Sequence, residues 1–184
     1  MIFSNQYGKE KDNIPELKTR LENIGPKEIY IWKEMVLQDS SLFEEVYNLI
    51  FCDNPRIAWH AAWVVDHVSE AEPIRLKVHV PEIIEQLAQL KSSSLKRHFT
   101  RMLISQKIPE DKAGLLVDVL YKLLSPSEAT AVRANSMHLL YKIALSEPDL
   151  QSELGSVIHS MIETESSPGI VSAGKKILHA LRYQ

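Results

Sequence analysis

NPRIAWHAAWVVDHV (residues 54–68), SSLKRHFTRMLIS (93–105), ATAVRANSMHLLYKI (129–143) and SPGIVSAGKKILHAL (167–181) fall into one register. Aligning Ile57, Leu95, Val132 and Ile170 gives steps of 38, 37 and 38 residues. That step is the length of two short helices and two tight turns, so the four stretches read as the second helices of a helical repeat. A repeat array is a scaffold: its periodicity places a binding face and assigns no chemistry.

The rest of the chain agrees with an all-helical fold. Six glycines in 184 residues are few, and runs such as GLLVDVLYKLL space their apolar residues by three and four. With 45% hydrophobic and 24% charged residues the chain is neither disordered nor fibrous. All nine prolines stand at helix starts or in turns, which predicts helices near 14–24, 26–38, 41–52, 55–69, 81–91, 93–105, 109–124, 128–146, 149–164 and 168–182. Asn54 before Pro55 and Ser167 before Pro168 are capping residues. SEAEPIRLKVHV (69–80) is the least regular join and leaves room for one extra short turn of helix. The Pro26 helix departs from the register, so residues 1–40 are expected to form an N-terminal capping unit and 41–184 four repeats, all within one domain.

The single Cys52 excludes an internal disulfide and points to a reducing compartment. The N-terminal residues lack the apolar run of a signal peptide, and no stretch has the length of a membrane span. The expected protein is cytoplasmic, without membrane association.

At these residues the chain resembles HEAT and armadillo-type repeat proteins, in particular small bacterial HEAT-like proteins of unassigned function, over about residues 41–183. Val132-Arg133, with small Ser136 and the preceding turn SPSEAT, carries the resemblance most clearly; Ala58, Lys96 and Val171 stand where the other units would carry the arginine. The resemblance implies a right-handed α-α superhelix of about five antiparallel helical pairs, with the second helices lining the concave surface.

A helical wheel at about 100° per residue sorts each second helix into a core arc and an outward arc. Ile57, Ala58, Ala61, Ala62, Val64, Val65 and Val68 fall on the core side; Trp59, His60, Trp63, Asp66 and His67 fall opposite. The equivalent outward positions are Arg97, His98 and Arg101, then Asn135, His138 and Lys142, then Ser172 and Lys176. The candidate binding stripe is therefore Trp59, His60, Trp63, Arg97, His98, Arg101, His138, Lys142 and Lys176. An outward Arg101 predicts that its loss costs under about 0.5 kcal/mol. The chain carries a formal net charge of −3, yet the second helices are predominantly basic and the first helices acidic, which suggests an anionic ligand on the basic face. Lys96 and Arg97 sit in a first helical turn, where the dipole opposes positive charge by about 0.3–1 kcal/mol. Trp59 and Trp63, four apart, are adjacent on one face and suit a binding anchor unless the N-terminal unit buries them.

No H-E-x-x-H, paired C-x-x-C, Gly-rich phosphate loop or G-x-S-x-G elbow is present. None of the seven histidines is followed by Glu, so the iron-binding His-Glu pairs of HEAT-type hydroxylases are missing. No cofactor, metal or catalytic residue is expected. The sequence favours a non-catalytic scaffold for a protein or acidic peptide. The alternative is nucleic-acid binding in the basic groove, in the manner of HEAT-like DNA alkylation-repair glycosylases.

Overall fold

The computed structural model describes residues 14–165 and 167–182; parts of the expected N-terminal capping unit and of the last repeat lie outside the described residues. Ten α-helices and one 3-10 helix follow in order, with no strand among the described residues. The chain divides into two compact units, Met1–Val65 and Asp66–Gln184. The division falls inside the fourth helix.

In the first unit, α1 (Ile14–Glu22), α2 (Pro26–Gln38), α3 (Ser40–Leu49) and the start of α4 (Pro55–Ala71) are delimited by local signals. Pro26 opens α2, and the Glu28 carboxylate turns back to accept from the Gly25 N–H at 2.9 Å. Asp39 caps α3 through the amides of Ser41 and Leu42, and Asn54 caps α4 through those of Arg56 and Ile57. The Asn54 side chain also donates to Glu22 at 3.1 Å, which ties the start of α4 to the end of α1. Leu17, Leu21, Ile29, Trp32, Val36, Phe43 and Val46 are buried. The Arg20 guanidinium lies over the Trp32 ring, 4.9 Å from its centroid, in cation–π contact.

In the second unit the irregular join is the 3-10 helix Pro73–His79, held down by fully buried Leu76. It runs into α5 (Val80–Leu87), which starts one residue before the expected helix and ends four residues short of it, where the amides of Gln89 and Leu90 turn back onto the Gln86 carbonyl. Then come α6 (Ser93–Ile104), α7 (Glu110–Lys122), α8 (Thr130–Ala144), α9 (Pro148–Thr164) and α10 (Pro168–Arg182). The second helices stack side by side, α6 on α8 and α8 on α10; α5, α7 and α9 pack against them. Phe99, Met102, Leu103, Leu116, Leu120, Met137, Leu139, Leu140, Leu154 and Ile158 are buried in this unit. Gly174 is demanded by close approach: a Cβ there would stand 2.6 Å from Ile162 and 3.0 Å from Ile158 of α9. No helix among the described residues is long and apolar enough to cross a membrane.

Candidate binding face

The polar side chains of the second helices divide into two groups, those bonded between neighbouring helices and those left facing outward. Between α6 and α8, Lys96 pairs with Glu128, both largely buried. One repeat later Arg133 does the same: its Nη1 lies 2.6 Å from Glu165, and its Nε donates to the Leu124 carbonyl at the end of α7. Each pair spans 32 residues and each cation stands in the first turn of its helix, so the two bonds are one device used twice. Lys96 thereby does the work of the missing arginine, and Glu128 offsets the unfavourable dipole.

The last turns of α4 reach α6 through Asp66. Its carboxylate accepts from His98 Nδ1 at 2.8 Å and lies 3.1 Å from Arg101 Nε, while the other end of the guanidinium meets Glu70 at 2.9 Å. Asp66 is 1% and His98 2% exposed, so these groups are buried as a satisfied network. His67, half-buried alongside, has its pKa lowered by burial and then by Arg101, against the opposing pull of Asp66 and Glu70.

Between α6 and α8 the bonds reach back one repeat. Asn135 Nδ2 donates to the Arg97 carbonyl and to Thr100 Oγ1, each at 3.2 Å. Lys142 Nζ donates to the carbonyls of Ile104 at 2.7 Å and Gln106 at 2.5 Å, satisfying oxygens that the end of α6 leaves unpaired. Burial lowers the Lys142 pKa.

These bonds correct the expected stripe. His98 is buried, Arg101 is tied to two carboxylates, and Lys142 is half-buried on carbonyl oxygens. In the first unit His60 is also buried at 2%, its Nδ1 donating to the Leu21 carbonyl of α1 at 2.7 Å. The physical reason is common to them. A second helix in a stack is flanked on both sides, so the positions bordering the wheel's core arc fall in contacts between helices. The two carboxylates that organise the α4–α6 contact, Asp66 and Glu70, were not legible as structural. The available signal was a lone carboxylate in the Val-rich run VVDHV, about one repeat ahead of a His and an Arg three apart.

What remains exposed is a smaller set. In the second unit Arg97 on α6, His138 on α8 and Lys176 on α10 face outward, and among the described residues neither Arg97 nor Lys176 makes an ion pair. The His138 pKa is lowered by partial burial and by nearby Lys176. In the first unit Trp59 is 37% exposed and Trp63 half-buried, and their rings stack at 5.8 Å with an interplanar angle of 13°. Among the described residues no three His, Cys, Asp or Glu side chains group as a metal site would require.

A family model described as a HEAT repeat domain matches residues 16–181. No curated protein matches the chain.

Proposed function

The chain belongs to the HEAT repeat family, and from that premise we propose that it is a non-catalytic scaffold that binds a protein on the face carried by α6, α8 and α10. The observation that supports this is the division of labour among the polar side chains. Lys96, Arg101, Arg133 and Lys142 are consumed in contacts between helices, while Arg97, His138 and Lys176 have no such structural task and stay exposed. In the first unit the stacked Trp59 and Trp63 form an apolar anchor of the kind that dominates binding hot spots. The lone, half-buried Cys52 thiol favours a reducing, cytoplasmic setting.

Nucleic acid is the weaker reading. Phosphate recognition draws on many free cations, and four of the eight on α6, α8 and α10 are held in contacts between helices, Lys96, Arg101 and Arg133 by carboxylates and Lys142 by carbonyl oxygens. The test is a pull-down from native lysate, with a nuclease-treated arm, comparing wild type with Arg97→Glu/Lys176→Glu. A protein recovered by wild type and lost in the double variant supports the scaffold. Nuclease-sensitive nucleic acid recovered and lost in the same way contradicts it, and equal recoveries from both proteins reduce the face to solvated surface.

A further inference from the structure

The three second helices of the second unit contain no Asp or Glu within their bounds: α6 reads SSLKRHFTRMLI, α8 TAVRANSMHLLYKIA and α10 PGIVSAGKKILHALR. The carboxylates that neutralise Lys96, Arg101 and Arg133 come from other elements. Lys142 is held only by carbonyl oxygens, which leave its unit charge uncancelled. Arg97, the fifth residue of α6, is exposed, and the charge of Lys176 acts on His138. Like charges gathered without a counter-charge are a surface whose electrostatic cost an anionic partner removes.

We propose that this face receives an acidic segment of a partner protein, lying across α8 between Arg97 and Lys176, and that His138 takes up a proton as the segment binds. The inference rests on the scaffold reading above and adds the chemistry of the partner and its coupling to pH. The charged group acting on the His138 ring is Lys176 of α10. On the other flank α6 presents Arg97 and Arg101, the latter held by Asp66 and Glu70. Among the described residues, no charged group of α7 or α9 contributes to the lowering of the His138 pKa. Burial and Lys176 therefore keep His138 neutral at neutral pH in the free protein. A carboxylate laid beside it favours the imidazolium and raises its pKa in the complex. With the pKa higher in the complex, binding gains strength as pH falls through the complex's value. The gain is complete below the free protein's value and is lost again as pH rises.

The experiment is fluorescence anisotropy with the full chain and a fluorescein-labelled peptide of alternating Glu and Ser, with a single-stranded oligonucleotide in a parallel arm. Wild type is expected to bind the peptide about three- to tenfold more tightly near pH 6 than near pH 8. His138→Gln should bind with that pH dependence flattened, and Lys176→Glu should lose most binding at both values. Because both side chains are exposed, melting curves of the variants should overlay wild type. The proposal is overturned if wild type fails to bind the peptide, if His138→Gln keeps the full pH dependence, or if the oligonucleotide binds more tightly than the peptide. A partner still captured from lysate through Arg97 and Lys176, by a protein that ignores the acidic peptide, would sink this inference and leave the scaffold standing.

Discussion

Asp66 and Arg101 illustrate how the identity of a neighbour decides what a polar residue does. On an isolated helix Asp66 is a solvated carboxylate next to His67; in the fold it is a buried acceptor shared by His98 and Arg101. Removing one partner of such a group costs more than removing a surface charge, because the remaining partner keeps its desolvation penalty. Arg101→Ala is therefore expected to lower unfolding free energy by about 1–2 kcal/mol, below the range for a fully buried pair because a third of the side chain is exposed to solvent. Arg97→Ala, four residues away and exposed, should change it by under about 0.5 kcal/mol. Urea denaturation of the two variants side by side checks the difference, and equal small losses would return Arg101 to the outward stripe.

At the scale of the helix, sequence periodicity was sufficient for nearly everything that concerns the core. Spacing, prolines and caps located all ten helices because those signals are local. The flanks were a different matter. Which of two polar residues bordering the apolar arc lies in a contact depends on the adjacent helix, and a single-helix wheel contains no neighbour. The wheel therefore placed Leu139 on the core side and His98 on the wrong one; the structure buries both. Leu139→Asp should unfold the second unit, since an unpaired carboxylate would replace a fully buried side chain. A normal thermal transition by circular dichroism would contradict the register. Gly174 tests the α9–α10 contact from the other direction. Gly→Ala inside a helix ordinarily gains up to about 1 kcal/mol. Here the added methyl collides with Ile162 and Ile158, so the variant should be destabilised by about 1–3 kcal/mol. Its midpoint in urea, measured against Gly114→Ala, where a Cβ meets nothing within 4 Å, separates collision from propensity.

For the molecule as a whole, the charge of −3 hides a segregation that periodicity made visible: acidic first helices and second helices without carboxylates in the second unit. The sequence overstated how much of that positive charge is available, because it could not show Lys96 on Glu128 or Arg133 on Glu165. Subtracting the cations used inside leaves a face led by Arg97 and Lys176, the face proposed above to receive an acidic protein segment. The central claim is that this exposed remainder binds and the bonded residues build. It is tested most directly by measuring partner binding and thermal melting together for Arg97→Glu/Lys176→Glu. The account predicts binding lost while the melting curve overlays wild type. Binding retained by a variant that melts normally would contradict it.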